Sequence, residues 1–554
     1  MAKKNDDMLA KIGIRVAAEG ERTSTNRQDA PPAAVRALEI SDDALWAYLR
    51  ENRVGDAKLY CRLHRGRVVY LRIWERWLIW QDHHWREDDY QEAYQRIEAV
   101  CALYQRFADA KRGELAELSD RDERDAVQHK LDVAERRIKL LRDRNGQDNL
   151  LTMVCRVPNP LIVLPKHLDQ QHYLKACPNG VIDLRTGELH DGRPEDYLLN
   201  AMPTAYRPEL LHIPQPCPET ERFLLSSMDG DQEVVDFIWR LLGYGLITRR
   251  KDHIFVVFHG EHGRNGKDTL IKLITHVLGG ALSGDVPVEM LLQSNVTRNS
   301  SGPSPDVLQL RGMCLAWINE AEENQRFALA RLKKLTGGGF ISARGLQDKA
   351  QTTWEQTHLP IMTTNELPKA KAEDAAFWQR AIIIRWELSF VPEPKEAYER
   401  PADKDLEDKV KAEAQGVLAR MVRGAMEYLK EGLRIPPKVQ GWTRSQRMKW
   451  DDLGQFFEEW CELEPRQENP DAYVTRIAAA DLYEAYCLWY ARNKDRRYSI
   501  SAKKFADLLN KKDIPGKRSN GSWRLGIVLN AEGQDALEEA RSRRDPSGSF
   551  RGSF

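Results

Sequence analysis

The densest run of chemistry-bearing residues is Gly260, Glu261, His262, Gly263, Arg264, Asn265, Gly266, Lys267, Asp268 and Thr269. Glycines leave room for backbone N–H groups to close on phosphate oxygens. A lysine directly after the last of them places a point charge where the β- and γ-phosphates of a nucleoside triphosphate lie. The spacing departs from the usual G-x-x-x-x-G-K-[ST] pattern. Gly260 lies one residue too far from Gly266, and Gly263 lies too near. Asp268 stands where the hydroxyl residue is usual, and Thr269 follows it. Either Thr269 supplies a hydroxyl to Mg²⁺, or Asp268 holds the metal directly or through water. The expected ligands are ATP and Mg²⁺. The expected contacts run through Gly260, Gly263, Arg264, Asn265, Gly266, Lys267, Asp268 and Thr269.

Such a loop needs a strand before it and a helix after it. Ile254 to Phe258 is a short, continuous apolar run of the buried-strand kind. After the loop, Leu270, Ile271, Leu273, Ile274, Val277 and Leu278 recur at helical spacing, and the helix N-terminus adds partial positive charge for an anion. Downstream, Met313 to Ile318 reads as a second buried strand ending in Asn319 and Glu320. A carboxylate there can polarise water and bind Mg²⁺ through water, so Glu320 is the candidate acid. Asn319 occupies the place of a second acid, and Glu322 is the alternative. A third apolar piece, HLPIMTTNELPK, ends in Thr363, Thr364 and Asn365, polar groups able to sense a γ-phosphate and orient water. Arg380 directly precedes the apolar run AIII, with Arg385 at its far end. An arginine supplied by a neighbouring subunit stabilises a transferring phosphoryl group.

The whole chain sets bounds on this reading. Its 554 residues suggest two to four domains. Lys and Arg (84) balance Asp and Glu (84), so any nucleic-acid surface is local. Eight scattered cysteines form no CxxC pair or zinc spacing and read as free thiols of a reducing cytoplasm. No run of about 18 apolar residues suggests a membrane span.

Residues 1–40 are polar and read as a flexible tail. From Asp42 a helix is followed by short strands carrying Trp74, Trp77, Trp80 and Trp85 among arginines. These tryptophans could stack on single-stranded bases, but a small hydrophobic core is the favoured reading. Tyr90 to Asn149 is charged and helical. Asn179-Gly180 and Thr186-Gly187 mark turns. After residue 392 a proline-containing stretch leads into helices. The last folded part reads helix, helix, helix, hairpin, with the hairpin turn at Asn520-Gly521.

The glycine loop, the Glu320 strand, KKLTGG with ISAR, TTN-ELP and WQR-AIII together resemble superfamily 3 helicases over about residues 170–390. The likeness is to phage- and plasmid-type primase-helicase C-terminal regions, akin to the poxvirus primase-helicase. It implies an α/β, AAA+-like ATPase core and a homo-hexameric ring translocating 3′ to 5′ on single-stranded or forked DNA during phage, prophage or mobile-element replication. It also implies that Lys267, Glu320, Asn365 and Arg380 are catalytic, with Asp268, Thr269 and Glu320 about the metal. Lys334, Arg344 and Lys349 fall where the family's DNA-contacting pore hairpin lies. The C-terminal part resembles a winged helix, which gives Lys503 and Lys504 to the groove and Lys517, Arg518 and Arg524 to backbone phosphates. The expected organisation is a tail (1–40), a helical and α+β N-terminal domain (41–165), a helicase flank (166–250), the ATPase core (251–392), a helical linker (393–449), the winged helix (450–535) and a disordered tail (536–554). No primase site is expected, so a separate primase or initiator is a partner. Two alternatives are an origin-binding initiator that melts DNA without processive unwinding and a nucleotide-switched interaction or defence ATPase.

Overall fold

The computed structural model describes residues 40–293, 304–319, 326–346, 351–467, 469, 472–494 and 500–543. The chain divides into two compact units, residues 1–64 with 94–160, and residues 65–93 with 161–554.

The first unit is helical: Asp42–Arg50, Asn52–His64, Ile97–Glu117, Arg121–Arg142 and Arg144–Val154. Ser41 and Asp120 cap two of these by accepting the N–H groups of Ala44 and Glu123. Val127, Leu131, Ala134, Ile138 and Leu141 recur every three or four residues and are the buried stripe of the charged fourth helix. Inside the unit, Arg137 pairs with Asp56, whose carboxylate also accepts the Tyr104 hydroxyl at 3.0 Å.

The second unit is built on five strands, β1 (Phe255–His259), β2 (Ser283–Val286), β3 (Leu315–Asn319), β4 (Leu359–Thr364) and β5 (Ala381–Arg385). They lie in the order β5-β1-β4-β3-β2, and every pairing is parallel. Parallel strands are covered on both faces, which is why β1, β3, β4 and β5 read as near-continuous apolar runs, while the edge strand β2, Ser-Gly-Asp-Val, does not. Alternate residues divide between two cores. Val256, Phe258, Trp317, Ile361 and Ile384 face one side, with the helices Gln232–Leu246, α1 (Lys267–Leu278) and Ala414–Glu431. Phe255, Val257, Ile318, Met362 and Ile383 face the other, with Phe327, Leu332 and Phe377. The helix Ala414–Glu431 is therefore core and not linker, because Val417, Leu418, Met421 and Val422 are fully buried in it.

Residues 65–93 do not belong with the helices on either side of them, as the expected 41–165 domain has it. Val68–Leu71, Arg76–Trp80 and Trp85–Glu87 form an antiparallel meander whose first strand pairs in parallel with Ile162–Val163. Trp85 is in the core of that sheet, so it offers no face to a base.

The C-terminal part has its own core around Phe456, Trp460, Tyr486, Trp489, Phe505 and Leu509. Its helices are Asp452–Trp460, Ala479–Asn493 and α2 (Ala502–Lys511). A three-stranded antiparallel sheet places Ser522–Leu525 between Arg476–Ala478 and Gly516–Arg518. A closing helix, Ala531–Ser542, crosses the expected boundary at 535, because Leu537 is buried against this core. Among the described residues no helix is long and apolar enough to cross a membrane.

Candidate active site

The loop leaves the C-terminal end of β1, next to the point where the strand order reverses. From β1 the chain steps to the far edge at β2, returns through β3 and β4, and closes at β5 on the other side. The crevice outside the carboxyl ends of strands at such a reversal is where open α/β sheets take ligands.

Two of the three glycines are fixed by geometry. A side chain on Gly260 would meet Asn265 Nδ2 at 2.1 Å and Lys267 Nζ at 2.8 Å, so the loop wraps directly over this position despite its irregular spacing. Gly266 has φ +87° and faces the Phe223 ring at 2.7 Å from where a Cβ would stand. A Cβ on Gly263 would meet nothing within 4 Å. Arg264 takes a left-handed φ of +58°. Asn265 is buried and donates to His262 O at 2.6 Å, closing the loop on itself.

Lys267 begins α1 and is only 5% exposed. Its ammonium donates to Asn365 Oδ1 at 2.8 Å, with Thr364 O at 3.5 Å. Residues almost a hundred apart thus meet because β1 and β4 are adjacent, with Thr364 registered against His259. His259 donates from Nε2 to Asn365 O at 3.2 Å, which fixes the backbone that carries the amide. Burial above all, with Lys267 and Arg385 adding to it, holds the His259 imidazole down to about 4, so it is neutral at pH 7.

Next along the sheet edge, Asn319 at the end of β3 accepts the Thr363 hydroxyl at 2.8 Å and donates to Asp285 Oδ1 at 3.0 Å. Glu320, Glu322 and Lys349 lie outside the described residues. Asp268 is exposed in the first turn of α1, and Thr269 follows it half-buried. Both line a cleft of about 480 Å³. A carboxylate and a hydroxyl are the hard oxygen donors that Mg²⁺ takes alongside phosphate oxygens, so these residues fit that ion. Among the described residues, no three His, Cys, Asp or Glu side chains are grouped to hold a metal ion by themselves.

Arg380 sits at the opposite edge of the sheet. Its carbonyl accepts Phe255 N at the start of β1, and its guanidinium donates to Ala376 O at 2.7 Å. Arg385 ends β5 beside His259, on the same edge as the loop. Lys334 is exposed on the helix Leu329–Leu335, and Arg344 is half-buried after the strand Phe340–Ala343, which pairs with Thr352–Glu355.

In the C-terminal part, Lys503 and Lys504 are exposed in the first turn of α2, capped by Ser501. Lys517 and Arg518 are exposed on the hairpin. Arg524 is a correction. Expected as a phosphate contact, it is 7% exposed, and its guanidinium donates to Asn510 Oδ1 (2.6 Å), Ile514 O (3.1 Å) and Ala506 O (3.3 Å). It fastens the hairpin to the end of α2, because a strand residue facing the helix points inward. Arg476, by contrast, lies over the Trp523 ring at 4.7 Å.

Sequence reading overlooked His259 and Asp285. A histidine inside an apolar run reads as core, and Asp285 meets Asn319 only through strand pairing.

The family described as D5 N terminal like matches residues 57–228, a stretch that ends before the glycine loop. The chain is 25% identical over 485 residues to the "Putative helicase L207/L206" of Acanthamoeba polyphaga mimivirus, covering 83% of this chain and 48% of that protein. It is 22% identical over 361 residues to the "Putative primase C962R" of African swine fever virus (isolate Warthog/Namibia/Wart80/1980), covering 62% of this chain and 36% of that protein. The chain thus spans about half of the first and just over a third of the second. Among solved structures, the apo structure of the NrS-1 C terminal region matches at TM-score 0.44 and 11% identity, over 89% of this chain and 100% of that one.

Proposed function

We propose that this chain is an ATP-hydrolysing DNA helicase of the superfamily 3 kind, acting in replication of a virus, phage or other mobile element. The observation that carries the reading is the Lys267–Asn365 contact at the carboxyl edge of the parallel sheet, where the glycine loop opens beside the reversal of strand order. Two relatives named helicase and primase support a place in replication.

In this reading the loop N–H groups and the N-terminus of α1 bind the triphosphate. Lys267 exchanges its amide partner for phosphate oxygens. Asn365, freed by that exchange, orients the attacking water, and Glu320 accepts its proton. Mg²⁺, held by Asp268 or Thr269 and Glu320, neutralises phosphate charge when bound. Arg380 serves the site of a neighbouring subunit in a homo-hexameric ring. Lys334, Arg344 and Lys349 track the backbone of single-stranded DNA. The C-terminal helices and hairpin act as a winged helix on duplex or forked DNA, through Lys503, Lys504, Lys517 and Arg518. The sheet order around Ser522–Leu525 supports that assignment. A separate primase or initiator completes the machinery in the cytoplasm of a bacterial host.

The test is ATP hydrolysis with and without single-stranded DNA, for wild type and Lys267→Ala. DNA-stimulated turnover that is lost in the variant is expected. Turnover indifferent to DNA would move the reading to a nucleotide-switched ATPase, and no turnover at all would overturn it.

A further inference from the structure

The stretch after β5 reads as a linker, yet it lies along the glycine loop. Ser389–Val391 and Glu399–Pro401 pair in parallel. Ser389 Oγ donates to Gly263 O at 2.8 Å, and Phe390 N donates to Arg264 O at 2.8 Å. The His262 ring stacks on Tyr398, with centroids 3.8 Å apart and planes 8° from parallel. Further on, Glu407 pairs with Lys272 of α1 at 2.9 Å. A segment attached to the loop at its start and in its middle, and to α1 at its far end, runs alongside whatever the loop binds.

This segment and the helix Pro218–Ser227 wall the cleft of about 480 Å³, whose floor is Gly266, Asp268 and Thr269. That size is ordinary for a small-molecule site. Its apolar lining is Phe223, Phe390, Pro401, Ala402 and Leu406, of which Phe223 and Phe390 are aromatic. Phe223 is buried and packs onto Gly266, so it is committed to the floor. Phe390 is half-buried, and its backbone is tied to Arg264, so its ring has a face to offer at a set height above the loop. The rim carries both signs, Arg222 and Lys404 against Glu219, Asp403 and Glu407. Mixed charge around an aromatic wall suits a neutral, flat, polar-edged ring and not a second anion.

We propose that this cleft receives the nucleobase and ribose of the nucleoside triphosphate, with Phe390 as the stacking wall and residues 389–407 setting nucleotide affinity. The proposal rests on the reading of Lys267 as the phosphate ligand. A triphosphate seated at the start of α1 must send its nucleoside away from the loop, and this cleft is continuous with that helix end.

The experiment compares ATP with inorganic tripolyphosphate by titration calorimetry, on the full chain. Phe390→Ala removes the stacking wall. Ala402→Trp fills the cleft from an exposed position and does not touch the core. Both are expected to weaken ATP about tenfold while leaving tripolyphosphate within twofold of wild type. An unchanged ratio of the two affinities in both variants overturns the proposal. Lys267→Ala is the separate arm. Loss of both ligands upholds the phosphate reading, and undiminished tripolyphosphate binding overturns that reading and this proposal with it.

Discussion

Substituting Asn365 separates the contact it makes with Lys267 from the water-orienting role proposed for it. Its Oδ1 stands 2.8 Å from the Lys267 ammonium, which is 5% exposed. Asn365→Asp would put a carboxylate at that distance. At an effective dielectric of about 20, two unit charges there attract by roughly 6 kcal/mol. Desolvating the new carboxylate offsets much of this. If about a third survives, some 2 kcal/mol, nucleotide must displace an internal ion pair and its affinity falls roughly 30-fold. Asn365→Ala acts oppositely on binding. It removes a hydrogen bond to a charged group, worth about 1.5–3 kcal/mol, from the nucleotide-free state only. Nucleotide affinity should therefore hold or rise, while kcat drops about 100-fold as the water loses its orienting amide. Steady-state hydrolysis gives kcat, and calorimetry gives Kd for ATP. An Asn365→Asp variant that binds ATP like wild type would refute the exchange of partners by Lys267.

Other consequences are independent of that exchange. Burial holds His259 near 4 and His358 near 3, against about 6.5 when unfolded. Between those values only the unfolded chain takes up protons, so stability is full above pH 6.5 and is lost as pH falls toward 4. His259 alone accounts for on the order of 3 kcal/mol. Urea titrations from pH 4.5 to 7.5 should show a shallower acid loss in His259→Gln, and an unchanged slope would remove this account. Arg524→Ala should destabilise the C-terminal part by about 3 kcal/mol in chemical denaturation. Lys517→Ala with Arg518→Ala should lower the salt dependence of DNA binding by about two phosphate contacts, read from the slope of log K against log salt. Asp56→Ala strands the buried Arg137 guanidinium, and a loss of about 3–5 kcal/mol in the helical unit is expected by thermal or urea unfolding.

The loop, β1, α1 and the later apolar strands were legible because parallel strands buried on both faces leave unbroken apolar runs. The residues at their ends were legible for the same reason: a polar group directly after such a run must lie at the sheet edge. Asn365 could be named from that logic and Lys267 from the Gly-Lys pair that opens a helix, though not their contact, which depends on β4 lying beside β1. Strand order leaves no mark in local sequence. Asp285 went unseen because its partner is set by the β2–β3 pairing. Arg524 misled because alternation along a hairpin is ambiguous until its inward face is known. The 389–407 stretch is rich in proline and charge, as linkers are, yet most of its attachments to the loop are backbone or single-ring contacts that composition does not encode.

The two arginines that bracket β5 bear on how a site of this kind is completed. Arg385 ends the strand beside His259 and already has a neighbour in Glu387 at 3.5 Å. Arg380 directly precedes it, where its carbonyl accepts the N–H of Phe255, the first residue of β1. The length of β1 separates the two edges, roughly 16 Å at about 3.3 Å per residue. That exceeds the reach of an arginine side chain, so within one chain Arg380 does not meet a phosphate held by Lys267. Either it has no part in hydrolysis, or it acts on the site of another copy. Its present acceptor is a backbone carbonyl, Ala376 O, and not a carboxylate. A phosphoryl group would offer a charge-assisted bond in exchange for a neutral one, so the role proposed for Arg380 at the site of a neighbouring copy would cost it only a neutral partner.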